Sequence, residues 1–139
     1  MGKINLGRVI LGGIVAGIII NLGEYLLNGV ILSDQWTDLM KSINRPVLDV
    51  THVGYFMALG LVQGIVAVWS YAAIRPRFGE GPMTAIWAAL LTWLTTVALC
   101  DLVLANMGVL ELPMVLMMMG VGLIEMTIGT LVGAYLYKE

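Results

Sequence analysis

Apolar residues fill four long blocks of this chain, and short polar stretches join them. A helix that crosses a bilayer needs roughly 20 mainly apolar residues. Residues 9–32, 53–74, 83–110 and 112–137 each meet that requirement. Charges fall almost entirely between the blocks. Between Arg8 and Asp34 the only charge is Glu24, and between His52 and Arg75 there is none. Between Glu80 and Glu111 there is only Asp101, and between Glu111 and Lys138 only Glu125. The pattern predicts an all-α protein, a single transmembrane domain over residues 1–139 that folds as an antiparallel four-helix bundle.

Proline marks the joints. Pro76 follows the second block, Pro82 opens the third, and Pro113 stands in the first turn of the fourth, where a missing N–H costs little. The 75–81 and 110–112 connections are short, so neighbouring helices are expected to form tight antiparallel hairpins. Lys3, Arg8, Arg75, Arg77 and Lys138 fall on one side of the membrane, and Lys41 and Arg45 on the other. That asymmetry places both termini in the cytoplasm by the positive-inside rule. The opening apolar stretch is too long for a signal peptide and has no small-x-small cleavage site before Asn21, so it reads as a span.

The longest connection is the first outer loop, 33–51. Ser33 or Asp34 can cap a short helix there. Trp36, Leu39, Met40 and Ile43 repeat at helical spacing, which suggests a helix lying in the outer interface. An irregular loop with a packed Trp is the competing expectation.

Composition agrees with the membrane assignment. The chain is 60% hydrophobic and only 12% charged, with a mean hydropathy of +0.95; a soluble domain carries about a quarter charged residues. Net charge is −2 and no basic stripe exists, which gives no support to a nucleic-acid partner. Cys100 is the only cysteine, so no intrachain disulfide can form, and it reads as a small helix filler. No Ser-His-Asp set, metalloprotease helix, phosphate loop or dinucleotide fingerprint is present, so neither an enzyme nor a cofactor is expected. His52 stands beside Asp49 and Thr51 and without a companion ligand makes a poor metal site. It reads as an interfacial residue bonded near Asp49, with pH sensing as the alternative. The ten methionines, including Met117, Met118 and Met119, read as flexible packing. Successive residues on a helix point in different directions, so these do not make one soft-metal site.

The candidate chemistry lies in the residues that hydrocarbon should exclude. An acid at mid-bilayer costs roughly 2.5–3.5 kcal/mol on insertion scales, which makes Glu24, Asp101 and Glu125 functional candidates by default. Glu125 and Gln63 lie near the middles of their spans; Glu24 and Asp101 lie about 6 Å beyond, from a four-residue offset at ~1.5 Å per residue. All four groups are expected to share one layer. Helical spacing gives each a polar or small-residue face. Gly13, Gly17, Asn21, Glu24 and Asn28 form one stripe; Gly60, Gln63, Ala67 and Ser70 form another; Gly122, Glu125, Gly129 and Gly133 form a third. Asp101 sits with Ala98 and Ala105. Gly13, Gly17, Gly60, Gly64, Gly129 and Gly133 are the expected close-packing positions, within the chain or between copies of it.

Two readings follow. In the first, Glu24, Asp101 and Glu125 form a proton- or cation-binding cluster in a small transporter or channel working as an oligomer, supported by Asn21, Asn28, Gln63 and Ser70. In the second, the same residues are interhelical ties in an accessory or scaffold subunit of a larger membrane complex. Interhelical hydrogen bonds average only about 0.6 kcal/mol, so three acids are a costly way to obtain ties.

Weak internal likeness suggests two repeated helical hairpins. Gly60-Leu61-Val62-Gln63 parallels Gly122-Leu123-Ile124-Glu125, and Glu24 and Asp101 are each followed by a Gly-Val pair. An even number of helices per unit would make the repeats parallel.

Finally, the stretch from Arg8-Val9-Ile10-Leu11-Gly12-Gly13 to Asn21-Leu22-Gly23-Glu24, the turn Tyr71-Ala72-Ala73-Ile74-Arg75-Pro76-Arg77-Phe78-Gly79 and the closing Gly133-Ala134-Tyr135-Leu136-Tyr137 resemble a group of small uncharacterised bacterial four-helix integral membrane proteins. The resemblance covers most of the chain and rests on glycine-rich packing motifs. It implies a bacterial inner-membrane location and no particular activity. The size and the first-helix glutamate are also similar to the small multidrug resistance transporters, in architecture only.

Overall fold

The computed structural model describes residues 3–138, and it is helical nearly throughout. Helix α1 (Leu6–Glu24) continues through a wider π-helical segment, Tyr25–Ile31, and α2 (Ser33–Ser42) follows. Then come α3 (Val50–Phe78), α4 (Pro82–Trp93), a second π-helical segment (Leu94–Ala98), α5 (Leu99–Asn106) and α6 (Leu112–Leu136). Four continuous helices are long and apolar enough to cross a membrane: Leu6–Ile31, Val50–Phe78, Pro82–Asn106 and Leu112–Leu136. These fit a polytopic membrane protein. Lipid demands that backbone polar groups be satisfied within the segment, which helices of this length achieve.

Local chemistry explains the ends. Asn5 accepts a hydrogen bond from the Arg8 amide and starts α1. Asp49 starts α3 with a capping box, its carboxylate accepting from the Thr51 and His52 amides. Helix α3 carries Pro76 in its last turn and stops at Gly79, where φ is +83°. The third span ends at Asn106 and not at 110, because Gly108 turns the chain at a φ of +71°. Neither Ser33 nor Asp34 caps α2. Leu32 holds the cap position, and the Ser33 hydroxyl donates to the Val30 carbonyl.

Small residues set the packing. A Cβ added to Gly64 would collide with the backbone of Gly13 and Gly17, and one added to Gly13 would collide with Ile65. Gly12 and Gly133 are equally close, backbone to backbone. Thus α1 lies between α3 and α6, with α4 packed against both of those helices. Partner numbers fall along α3 as they rise along α1: Gly13 meets Ile65, Gly17 meets Leu61, and the Asn21 amide donates to the Met57 carbonyl over 3.0 Å. The same holds against α6, where Gly12 meets Gly133 and Gly23 meets Glu125.

One end of the bundle gathers the start of α1 and the ends of α3 and α6. There the Asn5 amide donates to the Tyr137 hydroxyl over 3.3 Å, and the Arg75 guanidinium lies 5.6 Å from the Tyr137 ring centre. At the other end, Trp36 and Leu39 of α2 pack against Leu27, Leu32, Leu110, Met114 and Val115. From Val50 to Leu59 every residue of α3 is exposed, although the Met57 carbonyl within this stretch accepts from Asn21 of α1.

Candidate functional site

Two of the three intramembrane acids are buried. Asp101 is 7% exposed and Glu125 6% exposed, whereas Glu24 is half-buried between them. Glu125 and Asp101 both lie within electrostatic reach of Glu24. Helices α1, α5 and α6 therefore each contribute one carboxyl to one locus. Glu125 sits against the backbone of Gly23, where a side chain would overlap its Oε2. Among the described residues, Glu125 Oε2 and Asp101 Oδ2 are buried without a hydrogen-bond partner. Buried oxygens of this kind are costly to leave unmade, and a proton or small ligand relieves them.

Glu24 has a further connection. The Asn28 amide donates to Glu24 Oε2, and the Trp36 indole N–H donates to Asn28 Oδ1 over 2.9 Å. The polar path thus runs from α2 through Asn28 to the acids. Sequence spacing put Asn28 on the Glu24 face, four residues away. It could not indicate that Trp36 would fold back onto it.

The backbone is unusual beside both acids of the odd-numbered spans. One π-helical segment begins at Tyr25, directly after Glu24, and the other ends at Ala98, three residues before Asp101. Such wide turns are rare and concentrate at functional positions. Hydropathy carries no signal for them.

Gln63 is engaged elsewhere. Its amide donates to Thr96 Oγ1 over 2.7 Å, which ties α3 to the second π-helical segment. Asn21 is taken by the Met57 carbonyl, and Ser70 is buried deeper in α3. Sequence reasoning missed Thr96, because threonine is ordinary in an apolar helix. It also missed Trp93, whose indole N–H donates to the Met119 carbonyl over 2.9 Å and fastens α4 to α6.

His52 lies well outside this locus, in the α3 cap, with Nδ1 2.8 Å from Asp49 Oδ1. Cys100 is exposed. No group of three His, Cys, Asp or Glu side chains among the described residues is arranged to hold a metal ion.

No family model, curated protein or solved structure matches this chain.

Proposed function

We propose that this chain is a small proton-linked transporter or channel of the membrane, with Glu24, Glu125 and Asp101 as its proton-binding locus. The carrying observation is the convergence of Glu125 and Asp101 on Glu24, with the Glu125 carboxyl packed against Gly23 beside it. A pair of acids beside a third acid, with no Lys or Arg in any of the apolar blocks that hold them, is suited to exchange protons with a pathway. A carboxyl cluster without metal-ligating geometry favours a proton over a metal ion.

The descending registers of α1 against α3 and α6 support an antiparallel bundle. The gathering of Asn5, Arg75 and Tyr137 at one end supports a common, cytoplasmic side for Lys3, Arg8, Arg75, Arg77 and Lys138. Helix α2 then lies at the outer interface. The paired π-helical segments fit two repeated hairpins, and the exposed outer stretch of α3 fits assembly with further copies or partner subunits.

The test is proton flux in liposomes reconstituted with the full chain and a trapped pH dye. Wild type is expected to conduct under a potential, and Glu125→Gln, which keeps shape but cannot ionise, is expected to assemble and lose flux. Undiminished flux in an assembled Glu125→Gln protein defeats the transport reading. The accessory-subunit reading draws on the Trp36–Asn28–Glu24 bond path, which ties α2 to the bundle. It gains if Glu24→Gln and Glu125→Gln change nothing while Glu125→Leu breaks assembly.

A further inference from the structure

Asn28 and Trp36 stand eight residues apart, a separation of about 12 Å along a straight helix. They meet because the chain turns at Leu32, where φ is −100° and ψ is 10°, and α2 folds back toward the end of the first span. Leu32 is buried at that turn, and Trp36 and Leu39 pack beside it. The fold therefore brings an indole of α2 against a polar side chain of the first span.

The hydrogen bonds at Asn28 have a fixed sense. An indole N–H donates and cannot accept, so the Trp36 ring takes the oxygen side of the Asn28 amide, over 2.9 Å. The amide NH2 then lies on the opposite side, where it donates to Glu24 Oε2. The torsion that carries an amide group is soft and roughly two-fold, so without the indole the group can turn over. Turned over, it would set its oxygen against a carboxyl oxygen of Glu24. The neighbouring acids cannot take its place, because Glu125 and Asp101 have no N–H to offer. Helix α3 carries no charged side chain between His52 and Arg75. Trp36 thus reaches Glu24 through Asn28.

We propose that Trp36 and Asn28 are positioning residues of the acidic locus: the indole fixes which end of the Asn28 amide faces Glu24, and the amide fixes how the Glu24 carboxyl is turned. The proposal rests on the reading of Glu24 as part of a proton-binding locus. It gives α2 a part in that function, because the decisive donor comes from that helix.

The experiment combines a double-mutant cycle in liposome proton flux with the indole N–H resonances of the same full-length proteins in detergent. Trp36→Phe and Asn28→Ala are expected to lower flux by about threefold and about tenfold, the range of one side-chain hydrogen bond. In the Asn28→Ala background Trp36→Phe is expected to cost nothing further, since residues that act in series are not additive. Leu39→Ala loosens the packing of α2 and leaves the indole donor in place, so it is expected to keep the flux. Of the four tryptophan resonances, that of Trp36 is identified by its loss in Trp36→Phe. Glu24→Gln is expected to shift it, and to shift it no longer once Asn28 is alanine. A merely structural role gives another pattern: Leu39→Ala reproduces the loss, or the Trp36→Phe and Asn28→Ala effects multiply. Either result overturns the proposal, as does undiminished flux in Trp36→Phe or an unmoved Trp36 resonance in assembled Glu24→Gln protein. If wild type carries no protons, the transport reading fails, and the indole resonance still decides whether Trp36 reaches Glu24.

Discussion

Trp36 and Asn28 are joined by a 2.9 Å hydrogen bond although they belong to different helices, and Asn28 in turn holds Glu24. The loop helix α2 is thereby coupled to the acidic locus through two polar contacts. Helix α2 has no buried residue of its own, so this bond and the Trp36–Leu39 packing are what hold it in place.

Trp36→Phe keeps an aromatic ring in that packing and removes the indole donor. Asn28 Oδ1 is left without it, at a cost of roughly 1 kcal/mol. The expected outcome is faster amide exchange in α2 with the four long helices unchanged, measured by hydrogen exchange in detergent. Unaltered exchange would show that the bond does not hold α2.

Glycine substitutions separate tight contacts from open ones. Gly64→Ala forces a methyl into the backbone of Gly13 and Gly17, which cannot rotate away. A loss of about 1–3 kcal/mol is expected. Gly120 has nothing within 4 Å of an added Cβ, so Gly120→Ala should be neutral or gain up to ~1 kcal/mol from helix propensity. Thermal unfolding of the two variants in the same detergent checks the order.

Hydrogen bonds between spans should matter less than that packing. Gln63→Leu removes the bond to Thr96, and the average value of such bonds predicts a loss of about 0.6 kcal/mol. A larger loss than that of Gly64→Ala would mean that polar contacts, and not backbone proximity, dominate this fold.

Gly23→Ala directs its methyl at the end of the Glu125 side chain. Because that end can move, the substitution is expected to disturb the Glu24–Glu125 pair more than the fold. Proton flux should fall while the unfolding temperature changes little, a comparison made on one preparation.

The α3 cap predicts a local pH dependence. The hydrogen bond from the His52 side chain, followed by those from the His52 and Thr51 amides, holds the Asp49 carboxyl below its ordinary value of 3.8. A depressed value in the folded state means that the cap stabilises the helix start above that ordinary value and is lost as pH falls through the lower one. Protection of the Thr51 and His52 amides, taken relative to the unstructured exchange rate at each pH, is expected to hold at neutral pH and to fall below about pH 4. Asp49→Ala should remove the dependence.

The four apolar helices were legible in the chain because lipid imposes length and hydropathy on any span, and those are properties of consecutive residues. The acidic candidates were legible for the same reason: a charge interrupting hydrocarbon stands out wherever it falls. Periodicity also placed Asn28 on the Glu24 face, since i and i+4 coincide on any helix. Register is different. That Gly23 opposes Glu125 and Gly64 opposes Gly13 depends on how two surfaces of small residues settle against each other, and no single segment records it.

What the sequence determined, then, was where helices form and which polar groups they carry into apolar surroundings. Only the tertiary structure decided that Glu24 and Glu125 share a locus, that Gln63 turns to Thr96, and that Arg75, Glu80 and Tyr137 enclose a cavity. The physical reason is range. Hydropathy and capping act within a few residues, whereas backbone approach at glycine and the pairing of buried polar groups act between segments up to a hundred and more residues apart in the chain.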